Sequence, residues 1–149
     1  MSTNDDDSLR QVLANMPAGL VIRRGFPQHV IFANPAAEEM LGRVVPTGRH
    51  THYADVEAHG IYRLYEQVLA TGETIHLPSA RFLFEPPGRP PLERFLDVTI
   101  LPIRDAQGKV DGTAAIGVDV SEQVIARRQA ESMEQRYVEL LRSLDAIVW

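Results

Sequence analysis

Residues 95–122, FLDVTILPIRDAQGKVDGTAAIGVDVSE, decide the fold of this 149-residue chain. Alternating apolar and polar residues predict two strands, and residues 104–109 between them have the Asp and Gly composition of a tight turn. The second strand, predicted over residues 110–120, leads directly into a charged helix that begins at residues 119–122. A strand that leads into a long exposed helix is typical of a signal transmitter and unusual at the end of an enzyme.

Towards the N-terminus, strand and helix patterns alternate along the chain. Asn34 and Pro35 predict the start of a helix, because Asn caps free backbone N–H groups and Pro fits the first helical position. Pro78 indicates that the strand around it lies at a sheet edge, because Pro cannot donate to a ladder. The order of elements predicts an α+β domain: a five-stranded antiparallel sheet with helices on one face and a long C-terminal helix.

Composition and charge exclude several classes of function. The net charge is −5 and the pI about 5.5, which argues against a nucleic-acid partner because such binding requires clustered Lys and Arg. The chain has no cysteine, so disulfides, thiolate metal sites and cysteine nucleophiles are excluded. Residues 1–8 are polar and acidic, which predicts a disordered N-terminus and no signal peptide. We expect a cytoplasmic location and no membrane contact.

Several segments together resemble a PAS domain over about residues 9–122. They are LANMPAGL (residues 13–20), VIFANPAA (30–37) with MLG (40–42), VLATGE (68–73), FLDV (95–98) with PIRD (102–105), and GVDVSE (117–122). The last segment is similar to the exit signature of the family, usually Asp-Ile-Thr-Glu. Residues 43–58 depart from the family pattern, because the short helices usual there are hard to recognise.

The resemblance implies a signal-exit junction at Asp119, Ser121 and Glu122. Asp119 or Ser121 can accept hydrogen bonds from the first N–H groups of the helix, and Glu122 favours the positive end of its dipole. By similarity to the family, ligand state would pass from the sheet to the helix through this junction.

Apolar side chains between sheet and helices are candidates for a ligand pocket, although ordinary core packing explains any single aromatic as well. Arg63, Arg81 and Arg94 are candidates for an anionic ligand, with surface ion pairing as the alternative. The pocket candidates are Phe32, Met40, Tyr62, Tyr65, Phe82, Phe84, Phe95 and Ile116.

The sequence predicts no metal site, because no set of three or four convergent ligands is evident. His59 is the best single candidate for a haem ligand, since haem-binding relatives use a histidine of the central helix. A cysteinyl–flavin adduct is excluded by the absence of cysteine. The cofactor is otherwise open: none is required, and a small apolar ligand or haem remain alternatives.

The predicted C-terminal helix, residues 123–140, carries a heptad seam. A parallel homodimer is the favoured interpretation, and a helix packed back on its own domain is the alternative. Residues 141, 144 and 146 repeat residues 13, 16 and 18 at one constant offset, so residues 141–149 are interpreted as the start of a following PAS repeat. The seam comprises Ala126, Ala130, Met133, Tyr137, Leu140 and Leu144.

These features predict a cytoplasmic sensory and dimerisation module of a multidomain signalling protein, most simply a histidine kinase. Its partners would be a second copy and the neighbouring PAS and effector domains. The first alternative is a ligand-free interaction and relay module of a cyclic-dinucleotide enzyme or a transcriptional regulator. A small α+β enzyme is the third interpretation, although no phosphate-binding Gly loop occurs.

Overall fold

The computed structural model describes residues 3–148, with side chains described for residues 4–144. Five helices and five strands follow one another along this part of the chain. They are α1 Thr3–Asn15, β1 Gly19–Arg24, β2 His29–Ala33, α2 Pro35–Leu41, α3 Ala54–Glu57, α4 Ile61–Thr71, β3 Ile75–Phe84, β4 Leu92–Arg104, β5 Val110–Asp119 and α5 Ser121–Val148.

The five strands form one antiparallel sheet in the order β2-β1-β5-β4-β3. This arrangement confirms the predicted α+β fold with its long C-terminal helix. Pro78 lies in the edge strand β3, as predicted, and the ladder shifts register between Leu77 and Ala80. The missing N–H of the proline therefore falls at a bulge, where it disturbs the ladder least.

One face of the sheet packs against the helices and forms the core. Val98 pairs with Gly117 and Ile100 pairs with Ala115, so these four residues lie on the same face. Ile100 and Val68 of α4 are completely buried at the centre of this layer. The hydrophobic core therefore lies between α4 and the inner face of β4 and β5.

Asn34 joins three parts of the domain through its side chain, which is completely buried. Its Oδ1 accepts hydrogen bonds from the backbone N–H groups of Ala37 at 3.0 Å and Leu20 at 2.9 Å. Its Nδ2 donates to the backbone oxygens of Leu13 at 3.0 Å and Ala18 at 2.9 Å. The N-cap of α2 thereby also holds the end of α1 and the start of β1.

The N-terminal helix corrects the prediction of disorder over residues 1–8. Helix α1 begins at Thr3, so residues 3–8 are helical, whereas residues 1 and 2 lie outside the described part. Asp5 and Asp6 lie in the first turn, where negative charge favours the positive end of the helix dipole. The acidic composition that suggested disorder thus suits a helix start.

Helix α5 leaves the domain after its first two turns, since the Arg128 guanidinium still lies 4.7 Å from the centre of the Phe95 ring on β4. Val124 is 4% exposed, whereas every residue from 125 to 144 is exposed. The alternative of a helix packed back on its own domain therefore does not hold for residues 129–144, which lie beyond the Arg128 contact. The helix continues through residues 141–148; Trp149, the last residue of the predicted following repeat, lies outside the described residues, and that repeat stays a prediction.

Candidate functional site

A cavity of about 90 Å³ lies between the inner face of the sheet and the helices. Small residues of two adjacent interior strands leave this space open: Gly19 on β1, with Ala115 and Gly117 on β5. Met40 from α2 and Tyr65 from α4 also line the cavity. The lining is almost wholly apolar, which favours a small apolar occupant or apolar moiety.

Half of the predicted pocket residues do not line the cavity. Most of this difference arises because successive side chains of a strand point to opposite faces of the sheet. Met40, Tyr65, Phe82 and Phe84 line the cavity, whereas the other four candidates do not. Leu96 and Ala115 line it, so their neighbours Phe95 and Ile116 face the opposite side of the sheet. Phe32 pairs with Ile22, on the face opposite Val21, and the Tyr62 hydroxyl accepts a hydrogen bond from the Tyr53 N–H at 2.9 Å.

The residues that sequence reasoning missed are mainly small. The larger apolar residues of β5, Ile116 and Val118, face away from the helices together with Ala114. The informative pattern in the sequence is the apolar alternation at Leu96, Val98 and Ile100 on β4. Residues of β5 that pair with this set lie on the same, inner face of the sheet. This pairing places glycine and alanine on the inner face, where their small size creates the cavity.

Gly19 and Gly117, which pair across β1 and β5, give a matched test of this cavity. A Cβ at Gly117 would lie 3.6 Å from the Met40 Sδ, an ordinary contact, whereas one at Gly19 would lie 3.0 Å from both that sulfur and the Ala37 Cα. We expect Gly117→Ala to raise the free energy of unfolding by about 0.5 kcal/mol and Gly19→Ala to lower it by roughly 1–3 kcal/mol. Urea unfolding measures both, and equal effects would contradict the described space.

A polar network holds the α3 segment over the cavity. Asp55 accepts hydrogen bonds from Arg43 Nη1 at 3.0 Å and from the Glu85 N–H at 2.8 Å. Burial raises the pKa of the Asp55 carboxyl, but these hydrogen bonds and the Arg43 charge outweigh it and lower the pKa below its ordinary value. Val56, the next residue, lines the cavity, so the ion pair fixes part of the cavity wall.

His59, which follows α3, is likewise held against the cavity wall. Its Nε2 accepts a hydrogen bond from the Leu83 N–H at 3.0 Å, and its ring lies 5.1 Å from the ring of Phe82. The cavity is also far smaller than the roughly 300–1,000 Å³ of sites for larger ligands. These residues therefore do not fit haem, and the described structure contains no cluster of three or more His, Cys, Asp or Glu suited to a metal ion.

The predicted exit junction forms a compact set of hydrogen bonds. Asp119 Oδ1 accepts from the Ser121 N–H at 2.9 Å, and its Oδ2 pairs with Arg94 Nη1 at 3.0 Å. Ser121 Oγ accepts from the Phe95 N–H of β4 at 2.9 Å, so it joins sheet to helix, while Asp119 caps the helix start. Glu122 is exposed in the first turn of α5.

Arg94 extends this junction to the cavity wall. Its Nη2 donates to the backbone oxygen of Glu39 at 3.2 Å, in the last turn of α2, and the next residue, Met40, lines the cavity. One guanidinium therefore contacts the end of α2 and the carboxylate that caps α5. Neither Arg94 nor Arg81, which pairs with Glu93, is free for an anionic ligand, and Arg63 is exposed.

The Asp119 carboxyl gives the junction a pH dependence. Burial raises its pKa, but hydrogen bonds from Ser121 and the adjacent Arg94 guanidinium outweigh burial and lower the pKa below its ordinary value. A carboxyl whose pKa is lowered on folding stabilises the native state above its unfolded pKa, and this stabilisation is lost as the pH falls through the folded pKa.

We expect Asp119→Asn to be less stable than the wild type at pH 7, with a difference that shrinks below about pH 4. The free energy of unfolding, measured by urea between pH 7 and pH 3, checks this expectation. Glu122→Gln removes an exposed carboxylate three residues away and serves as the control. A stability difference that stays constant with pH would contradict the assigned role of the Asp119 charge.

No helix in the described part of the chain combines the length and apolar character needed to cross a membrane.

Comparisons with known proteins agree with this architecture. A family model described as "PAS fold" matches residues 13–125, and the chain belongs to this family of sensory domains. A structure of an RNA-binding Light-Oxygen-Voltage receptor is similar, with a TM-score of 0.65 and 19% identity over 91% of this chain and 39% of that one. The VqmA dimer of Vibrio cholerae, described as a LuxR-type receptor, has a TM-score of 0.60 and 21% identity over 83% of this chain and 53% of its own.

A PAS domain from Colwellia psychrerythraea has a TM-score of 0.58 and 9% identity, with 79% of this chain and 98% of that one covered. At these identities the likeness shows the fold alone. The chain spans 39% and 53% of the two receptors, so it corresponds to one part of each larger protein.

Proposed function

We propose that this chain is a ligand-responsive PAS module whose cavity state changes the arrangement of helix α5. The observation that carries this proposal is the contact path through Arg94, which contacts the last turn of α2 and the Asp119 carboxylate at the base of α5. Met40, beside Glu39 in that turn, is part of the cavity wall. A change at the cavity can therefore reach α5 through adjacent groups.

Met40 is the natural moving part of this path. Its Sδ lies close to the positions that Cβ atoms would occupy at Gly19 and Gly117, at 3.0 and 3.6 Å. An occupant larger than the present cavity must displace this side chain, and methionine adapts readily because it is unbranched. The ligand shifts the equilibrium only as far as it binds one arrangement of α2 and Arg94 more tightly than the other.

We propose a second copy of the chain as the partner of α5. Met133 is 70% exposed and Leu140 is 64% exposed, and both lie on the heptad seam. Large apolar side chains at heptad spacing on an exposed helix favour burial against an equivalent helix. A parallel homodimer places the two exit junctions side by side, where they can respond together.

The effector is proposed to be a histidine kinase in the cytoplasm, with a further PAS repeat following α5. Support comes from the helix itself, which leaves the domain fully exposed and so is suited to joining a following unit. The receptors to which this chain is similar are likewise longer than the matched domain.

A ligand-free relay module is the second candidate. It is favoured by the small volume of the cavity, about 90 Å³, which leaves little room for a ligand unless Met40 moves. In this case the effector would be a cyclic-dinucleotide enzyme or a transcriptional regulator. The likeness to VqmA, described as a DNA-binding receptor, is compatible with the regulator.

Spin labels on α5 test the sensor against the relay. The chain has no cysteine, so Glu131→Cys provides a single labelling site on an exposed part of the helix. We expect the distance between labels in the dimer to change when xenon, a probe of apolar cavities, occupies the protein under pressure. Arg94→Gln should remove this response. An unchanged distance despite xenon binding, seen by NMR, would favour the relay.

A further inference from the structure

Arg23 is a buried cation without an anionic partner in the described part of the chain. It lies on β1 and is 9% exposed, and its Nε is buried with no hydrogen-bond partner. Charged side chains are rarely buried unless they are paired. Four other arginines of the domain pair with carboxylates: Arg24, Arg43, Arg81 and Arg94.

The surroundings of Arg23 place its charge beside the cavity. Val21, two residues earlier on the same face of β1, lines the cavity. The guanidinium carbon lies 4.8 Å from the ring centre of Tyr65, another lining residue, and 5.2 Å from that of Tyr62. Aromatic faces compensate a buried cation only in part, because they offer no hydrogen-bond acceptor to its N–H groups.

Two hydroxyl groups accompany this cation. Thr113 pairs with Arg23 across the ladder and is almost completely buried on the same face of the sheet. Burial raises the pKa of the Tyr65 phenol, although the Arg23 charge opposes this shift, so the hydroxyl stays protonated near neutral pH. The region around Arg23, next to the lining residues Val21 and Tyr65, therefore combines one unbalanced positive charge with nearby hydroxyl groups.

We infer that the ligand of this module is a short-chain organic acid whose carboxylate pairs with Arg23 and whose alkyl part occupies the cavity. This inference rests on the proposed sensory function. A single guanidinium matches a monoanionic carboxylate, to which it donates two parallel hydrogen bonds. The volume of about 90 Å³ restricts the apolar part to a few carbon atoms. Binding replaces the contact of the guanidinium with the Tyr65 ring by an ion pair.

Position in the sequence alone does not distinguish Arg23 from its neighbour Arg24. Arg23 and Arg24 are adjacent, and in the sequence both lie between an apolar strand segment and a turn. The distinguishing signal is parity, because Arg23 shares the inward face with Val21, whereas Arg24 lies on the other face and pairs with Asp111.

Isovalerate and its uncharged amide, isovaleramide, test the inference because they have nearly the same shape. Calorimetric titration of the complete chain at pH 7 should show the acid binding at least tenfold more tightly than the amide. In Arg23→Met this preference should disappear while thermal stability is unchanged or higher, because an unpaired buried charge is removed. Arg24→Met removes the neighbouring cation on the other face of the sheet and should retain the preference for the acid.

Each other outcome has a distinct meaning. Equal affinity for acid and amide in the wild type would overturn the role of Arg23 and leave cavity binding intact. Binding of neither compound at millimolar concentration would overturn the short-chain acid. If Arg23→Met does not fold, Arg23→Lys supplies the test, with the acid preference expected to weaken but persist. Failure of the proposed sensory function would give a different result: the acid would bind, but the distance between labels at residue 131 would not change.

Discussion

Replacement of Asn34 by alanine is expected to lower the free energy of unfolding by about 3–5 kcal/mol, through loss of the helix N-cap and of buried hydrogen bonds. The side chain satisfies two backbone N–H groups and two backbone oxygens at a completely buried position. Alanine leaves these groups without partners in a site that water cannot easily enter. Urea denaturation monitored by circular dichroism measures the loss.

Asn15→Ala is the matched control for this substitution. The Asn15 side chain is also hydrogen-bonded, but only to the Gln11 oxygen one turn earlier, at an exposed position. We expect its removal to cost at most about 0.5 kcal/mol, as for most surface substitutions. Asn34→Asp keeps the acceptor oxygen and loses the donor, so it should also be strongly destabilised. Similar losses of stability for Asn15→Ala and Asn34→Ala would contradict the role of Asn34 in joining three parts of the domain.

Leu140→Asp is expected to convert the proposed dimer into a monomer, with a dissociation constant raised at least about 100-fold, or roughly 3 kcal/mol. In a parallel dimer the two residues at this position face each other across the seam. The substitution removes a large apolar side chain from each helix and brings two carboxylates together where water is excluded. Molecular mass from light scattering, measured over a range of protein concentrations, reports the change.

Gln135→Asp controls for the introduced charge. It changes the net charge of each chain by the same amount but lies on the side of α5 remote from the seam. We expect this variant to remain dimeric. Both variants should keep the stability of the PAS domain, because all residues concerned are exposed. A wild type that is already monomeric, or a Leu140→Asp variant of unchanged mass, would refute the seam as the dimer contact.

Much of the fold could be predicted because short-range signals agree with the tertiary structure. The N-cap at Asn34 and the edge position of Pro78 each have a local physical cause. The start of α1 was missed because its acidic residues suit both a disordered segment and the first turn of a helix. Composition alone does not separate these two cases.

The candidate site was harder to predict because it depends on register. A shift of one residue moves a side chain to the other face of the sheet, so Phe95 and Ile116 were placed in the pocket in error. The cavity exists where side chains are missing, at Gly19 and Gly117, and the search for bulky apolar residues could not find it. Arg23 was missed because its burial depends on residues that are far away in the sequence.

The exposed length of α5 has a mechanical consequence. Residues 129–148 extend about 30 Å beyond Arg128, the last residue described in contact with the sheet, at the usual rise of 1.5 Å per residue. In the proposed relay the helix would act as a rigid lever anchored by Val124, by Arg128 on Phe95 and by the Asp119 and Ser121 hydrogen bonds. A tilt of about 10° in the first turns displaces residue 148 by roughly 5 Å, at the same rise per residue. Sub-ångström changes where Arg94 meets Asp119 would thus be amplified into movements large enough to re-pair the two helices of the proposed dimer.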